Sequence, residues 1–128
     1  MRKIALLIPE LNIGGAERFV SRLTSILCDT YDVHLILFED TFVEYEFSGK
    51  LINMNCKSAD GLIRKVQNVF IRTIKLYHIK KNHNFDVVIS FLDGANIVNV
   101  LSHYKKTRNF VSIRNYPHES SFLKKVQY

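Results

Sequence analysis

Ile4-Ala5-Leu6-Leu7-Ile8-Pro9-Glu10-Leu11-Asn12-Ile13-Gly14-Gly15-Ala16-Glu17-Arg18 is the stretch on which the fold turns. Its first five residues form a continuous apolar run stopped by a proline, the pattern of a strand buried on both faces of a parallel sheet. Glu10 to Gly15 reads as a loop because of its glycine pair. From Ala16 to Cys28 the apolar residues Ala16, Phe19, Val20, Leu23, Ile26 and Leu27 recur at intervals of three and four. That spacing predicts a helix with one apolar stripe. Glu17 falls in its first turn, near the positive end of the helix dipole.

The same alternation continues along the chain. Val33 to Phe38 reads as a second buried strand, and Lys50 to Met54 as a short third one. The acidic, aromatic stretch from Glu39 to Gly49 carries no clear period. Leu62 to Lys81 is the longest helical segment. Leu62, Val66, Val69, Phe70, Ile74 and Tyr77 share one face of it, and Arg64, Lys65, Arg72 and Lys75 lie on the other side. Phe85-Asp86 introduces a fourth strand, Val87 to Phe91. Asp93-Gly94 opens a helix carrying Ile97, Val98, Val100 and Leu101, and Asn109 to Ile113 is a fifth strand. Arg114 to Tyr128 begins as a loop around Pro117 and regains helical character from Phe122 to Val126. Strands separated by helices predict an α/β, Rossmann-like, doubly wound parallel sheet, formed as a single domain over residues 1–128.

The composition agrees with one ordinary globular domain. The chain has 128 residues, of which 47% are hydrophobic and 23% charged, an ordinary globular balance rather than a disordered one. Cys28 and Cys56 match no metal spacing and read as reduced thiols of a cytosolic protein. Met1-Arg2-Lys3 and the run after it imitate a signal peptide, but the run is too short and Pro9 and Glu10 end it. No stretch approaches the roughly 20 apolar residues of a spanning helix, which predicts a soluble or peripheral protein. The net charge of +6 is compatible with nucleic acid, anionic lipid or an anionic substrate. Nucleic acid is disfavoured because the basic residues are not interleaved with aromatics and no recognition motif is present.

The first strand-to-helix turn carries the strongest chemical signal. Gly14 and Gly15 let the backbone approach a ligand without a Cβ in the way, and the amides that open the helix form an anion site. In open α/β sheets ligands bind beyond the carboxyl ends of the strands. The same two glycines equally suit a tight turn with close helix packing, and both readings stay open. G-x-G-x-x-G and Walker A patterns are absent, so a dinucleotide or P-loop nucleotide is disfavoured. Asp93, at the carboxyl end of the fourth strand, is either a site residue or a helix N-cap. Arg114, after the fifth strand, suits an anionic group or a surface ion pair. Asn12 either touches a hydroxyl of a substrate or shapes the turn. The basic side of the long helix suits an anionic membrane surface or simply solvent, its apolar side being expected to cover the sheet.

The stretch from Ile4 to Arg18, with Gly14-Gly15-Ala16-Glu17 at its centre, resembles the opening of family 4 glycosyltransferases. Tyr31-Asp32-Val33-His34-Leu35, Phe85-Asp86-Val87-Val88-Ile89-Ser90-Phe91 and Val111-Ser112-Ile113-Arg114-Asn115-Tyr116-Pro117 resemble later strands of that family in the expected order. The resemblance implies the N-terminal, acceptor-side half of a GT-B fold. It implies Gly14 and Gly15 facing the diphosphate of a nucleotide-sugar donor, Asn12, Asp93 and Arg114 near the acceptor, and His118 as the catalytic residue. Glu17 would hold the helix start. The implied reaction is retaining, uses no metal or other cofactor, and moves a sugar to a glycan or lipid-linked acceptor of cell-surface polysaccharide synthesis.

The donor-binding C-terminal domain of that family is not in this sequence, so the resemblance implies that the chain alone is inactive and is completed by a second polypeptide. A cytoplasmic place, with peripheral contact at the inner face of the membrane, follows from a lipid-linked acceptor. The alternatives are a non-catalytic α/β module that recruits a partner to the membrane, and an inactive gene remnant.

Overall fold

A computed structural model of the chain describes residues 2–40, 43–57 and 60–113. The elements run β1 (Lys3–Ile8), α1 (Gly15–Leu27), β2 (Asp32–Leu37), β3 (Lys50–Asn53), α2 (Leu62–His83), β4 (Val87–Phe91), α3 (Asp93–Leu101) and β5 (Arg108–Ser112). The five strands form one sheet in the order β3-β2-β1-β4-β5, and every pairing is parallel. The fold is the Rossmann-like doubly wound sheet expected from the sequence.

Strand β1 occupies the middle of the sheet, which explains its unbroken apolar run. Ala5 and Leu7 enter one core with Ile36, Phe38, Phe85 and Val88, closed by Leu76 of α2 and by Ala95 and Val98 of α3. Ile4, Leu6 and Ile8 enter the other with Leu35, Leu37 and Phe91, closed by Val20 of α1. A residue buried on either face has to be apolar, so period-two alternation disappears. Cys28 and Cys56 are both free thiols.

The stretch left without assignment proves to be a strap over α1. Val43 forms an isolated bridge with Leu11, and Tyr45 and Phe47 pack into the α1-side core. The Ser48 amide donates to Thr24 Oγ1 at 3.0 Å, and the Ser21 hydroxyl donates to the Glu46 carbonyl. Thr24 is fully buried for this reason, whereas Ile26, expected in the apolar stripe, is exposed.

Helix α2 departs most from expectation. Its apolar stripe was to cover the sheet, yet Leu62, Val66, Phe70, Ile74 and Tyr77 are all exposed. The side that meets the sheet carries Leu76 and Lys80, both fully buried, with Ile79 partly buried beside them. The physical reason lies in the chain leaving β3. Its carbonyls need donors that an apolar stripe lacks. Arg72 donates to the Cys56 carbonyl at 2.9 Å, Lys75 to Met54 at 3.0 Å and Asn68 to Lys57 at 2.9 Å. The Arg72 guanidinium also lies 4.3 Å from the centre of the Phe38 ring. Arg72 and Lys75, expected in solvent, thus tie the helix to the chain leaving β3, while Arg64 and Lys65 stay exposed.

Candidate functional site

All five strands point their carboxyl ends to one edge of the sheet. From β1 the strand order runs one way to β2 and the other way to β4, so the crevice above β1 and β4 is the topological switch point. The β1–α1 loop and the β4–α3 junction rise on its two sides. Asn12, Gly14 and Gly15 stand on the first and Asp93 on the second, so the fold brings these four candidates to one rim. Arg114 and His118 lie outside the described residues. Strand β5 ends on the same rim.

Gly14 is the N-cap of α1, with φ 174° and ψ 168°, an extended backbone open to any residue. What stands close to it is the end of a flexible side chain. The Glu17 side chain folds back over it, and a Cβ on Gly14 would come within 2.7 Å of the carboxylate. That contact places Glu17 at the helix start. No side chain caps α1, whose first backbone bond runs from the Arg18 amide to the Gly14 carbonyl at 3.0 Å. The amides of Gly15, Ala16 and Glu17 therefore have no partner within the helix. A Cβ on Gly15 would meet nothing within 4 Å, so this glycine leaves open space before the helix end.

Two groups hold the loop in place. Asn12 Oδ1 accepts from the Ile13 amide at 2.8 Å, so the turn-shaping reading describes its side-chain oxygen. The Gly14 amide donates to the Tyr45 hydroxyl at 3.4 Å. Tyr45 was missed in the sequence because the strap has no period of its own.

Asp93 does not act as the N-cap. That position belongs to Leu92, no side-chain bond caps α3, and Asp93 is the exposed first residue of the helix. Leu92 has φ 75° and ψ 150°, a region that strongly favours glycine. Held between a buried Phe91 and the start of α3, it is a bulky residue under backbone strain on the rim. Asn96, one turn into α3, accepts from Ser90 Oγ at 2.7 Å and donates to the Ser112 carbonyl at 3.1 Å. It thereby ties the end of β5 to α3.

Two more of the described residues on the rim are acidic. Glu10 follows β1 and Glu39 follows β2, and the parallel pairing of these strands brings them side by side. The hydrogen bond with Glu39 raises the Glu10 carboxyl above the ordinary carboxylate range, with smaller contributions from burial and from the charges of Glu39 and Glu17. Two carboxyls side by side offer several acceptor oxygens, a set suited to sugar hydroxyls. It does not suit a bare phosphate. Among the described residues, no group of three or more His, Cys, Asp or Glu side chains is arranged to hold a metal ion.

No family model matches the chain. Two proteins of Campylobacter jejuni are similar to it. One, named GalNAc-alpha-(1->4)-GalNAc-alpha-(1->3)-diNAcBac-PP-undecaprenol alpha-1,4-N-acetyl-D-galactosaminyltransferase, is 35% identical over 99 residues, which is 76% of this chain and 28% of that protein. The other, named N-acetylgalactosamine-N,N'-diacetylbacillosaminyl-diphospho-undecaprenol 4-alpha-N-acetylgalactosaminyltransferase, is 31% identical over 104 residues, 80% of this chain and 28% of that protein. The chain spans little more than a quarter of the length of these curated relatives. Across at least three quarters of its own length, this parallel α/β sheet with its open glycine rim is thus similar to part of two glycosyltransferases.

Proposed function

We propose that the chain forms the acceptor-side half of a GT-B glycosyltransferase of family 4, working with a donor-binding half to move a sugar from a nucleotide-sugar to a lipid-linked or other glycan acceptor. The observation that carries this reading is the uncapped start of α1, opening through Gly14 and Gly15 onto the switch-point rim. The similarity to two N-acetylgalactosaminyltransferases whose names specify undecaprenol diphosphate-linked substrates supports the substrate class. It favours an enzyme over a non-catalytic module or a remnant.

In this reading the bond from the anomeric carbon to the diphosphate breaks as a bond to the acceptor oxygen forms, and the acceptor proton leaves with the diphosphate. The amides of Gly15 and Ala16 stabilise the charge that grows on the leaving phosphate, a term that counts most once water is excluded. Glu10, Glu39 and Asp93 receive acceptor hydroxyls, while Asn12 and Tyr45 keep the loop in register. Arg114 and His118 complete the acceptor side, His118 next to the reacting hydroxyl. The acidic rim makes donor binding by this half alone weak, so the cations that neutralise the diphosphate belong to the other half. No metal takes part, and the enzyme works at the cytoplasmic face of a membrane.

The test combines this chain with a polypeptide carrying the donor half and follows transfer of N-acetylgalactosamine from its nucleotide to an undecaprenyl diphosphate-linked acceptor. Transfer is expected with both halves and absent with either alone. Activity in no combination would remove the proposal. Gly15→Ala sharpens the test. The site is open, so the variant should keep or slightly raise the melting temperature, by up to about 1 kcal/mol of stability. Its methyl group stands where the diphosphate must approach, and transfer is expected to fall by roughly ten- to a hundredfold. Wild-type transfer by Gly15→Ala would place the diphosphate elsewhere.

A further inference from the structure

The strap over α1 borders an open cavity of about 470 Å³, lined by Val43, Glu44, Tyr45, Glu46 and Phe47. Its size falls within the range of small-ligand sites. The backbone that lines it is fixed at several points. Val43 bridges Leu11, and the Glu44 amide donates to the Leu11 carbonyl at 2.8 Å. The Glu46 carbonyl accepts from the Ser21 hydroxyl, and the Ser48 amide donates to Thr24 Oγ1 at 3.0 Å. A site on a backbone held in this way needs little ordering when a ligand enters.

The side chains select the ligand. Tyr45 and Phe47 are partly buried against the α1-side core. Glu44 and Glu46 are exposed, and among the described residues neither carboxylate has an ion-pair or hydrogen-bond partner. Two such carboxylates repel a phosphate, a nucleotide or an anionic headgroup. Ionised, they accept hydrogen bonds and donate none. The face of an aromatic ring is negative and attracts the positive edge of a C–H group. A neutral sugar carries both complements, hydroxyls that donate and a side of C–H groups.

The cavity adjoins the rim. Leu11, which holds Val43 and Glu44, directly follows Glu10, and the Gly14 amide donates to the Tyr45 hydroxyl at 3.4 Å. We propose that the strap cavity is a second saccharide subsite, holding a neutral sugar of the acceptor glycan next to the one that reacts at the rim. Glu44 and Glu46 accept its hydroxyls, and the rings of Tyr45 and Phe47 take its C–H side. The proposal rests on the acceptor-side reading above and adds a consequence to it: an acceptor of two sugars binds better than one of a single sugar.

The experiment is a heteronuclear NMR titration of the 128-residue chain with methyl glycosides of N-acetylgalactosamine and of its disaccharide, carrying neither lipid nor diphosphate. Amide shifts at residues 43–47 are expected with the disaccharide, which should bind about tenfold more tightly than the monosaccharide. Salt should leave this binding unchanged, because the ligand is neutral. Glu44→Ala with Glu46→Ala should lower disaccharide affinity by about tenfold and leave monosaccharide affinity at the wild-type value. The melting temperature of this variant should stay at the wild-type value, because these two residues hold the strap through backbone groups alone. No shift at residues 43–47, or wild-type disaccharide affinity in the variant, would overturn the proposal. So would a cavity that answers to spermidine and not to the disaccharide, which would make it a cation site. Absence of transfer with any donor half removes the acceptor-side reading, and the shifts at residues 43–47 still decide whether the cavity binds a saccharide.

Discussion

Lys80→Ala is expected to destabilise the chain by about 3 kcal/mol, read from denaturant unfolding at pH 7. Lys80 is fully buried, and its ammonium group donates to the Asn99 carbonyl at 3.0 Å, to the Ser102 carbonyl at 3.2 Å and to the Ser102 hydroxyl at 3.0 Å. These carbonyls close α3, a helix with no basic residue in its own last turn. Lys80 thus caps α3 from the neighbouring helix, placing a positive charge at the negative end of its dipole. Alanine removes the donor and the packed stem together. Lys80→Met keeps most of the stem, so its loss should be smaller, about 1 kcal/mol at pH 7, because the burial cost of the charge disappears with the charge.

The pH dependence separates these contributions. Burial lowers the Lys80 pKa from 10.5 to about 8. A folded pKa below the unfolded one means that the folded state releases its proton first. The contribution of Lys80 to stability is then complete above about 10.5 and lost as pH falls through about 8. Across that window the change amounts to about 3 kcal/mol. Other groups titrate in the same range, so the quantity to follow is the stability gap between wild type and Lys80→Met, which has no titrating group at this site. The gap should widen in favour of wild type from pH 7.5 to 9.5. A gap that stays constant would mean that the hydrogen bonds hold the ammonium charged throughout.

Lys80 also shows where sequence reading stops. Periodicity correctly located α2 and its apolar side, but a period reports which residues align and says nothing of what they face. The usual inference that the apolar side covers the sheet failed because carbonyls beyond β3 and at the end of α3 needed donors, which Asn68, Arg72, Lys75 and Lys80 supply. The sheet itself was legible because burial on two faces makes β1 and β2 uniformly apolar, a signal that does not depend on neighbours. Segment 39–49 gave no signal because its bonds to Thr24, Ser21 and Leu11 join distant parts of the chain.

The rim divides the same way. Gly14 and Gly15 were visible because a glycine pair after a buried strand is local information. The Glu10–Glu39 pair was invisible because parallel pairing of β1 with β2 creates it. Asp93 was visible as a rim residue, but its capping reading did not survive the positive φ of Leu92, a backbone angle that no side-chain pattern announces.

Gly49→Ala should cost about 3 kcal/mol, lowering the melting temperature by roughly 10 °C. Gly49 has φ +91°, a conformation that L side chains rarely adopt, and it precedes the first residue of β3. A Cβ there would lie 2.4 Å from the Val33 carbonyl oxygen and 3.1 Å from its carbon. Both belong to the backbone of β2, which cannot turn aside as a side chain could. The variant must either shift β3 along its ladder with β2 or abandon the turn that starts it. Gly94→Ala is the matched control, since Gly94 lies within α3 and a Cβ there meets nothing within 4 Å. It should stabilise the chain by up to about 1 kcal/mol through helix propensity and reduced freedom of the unfolded state. The consequence of Gly49→Ala should also reach the far end of β3. Met54 and Cys56 offer Lys75 and Arg72 the carbonyls that hold the middle of α2, ahead of its contacts with the core, and these positions follow the register of β3 on β2. Hydrogen exchange should therefore show the amides of residues 62–71 losing protection along with those of β3, while those of α1 keep theirs. Protection lost only at β3 would show that α2 is held by its contacts with Leu76 and Lys80 alone.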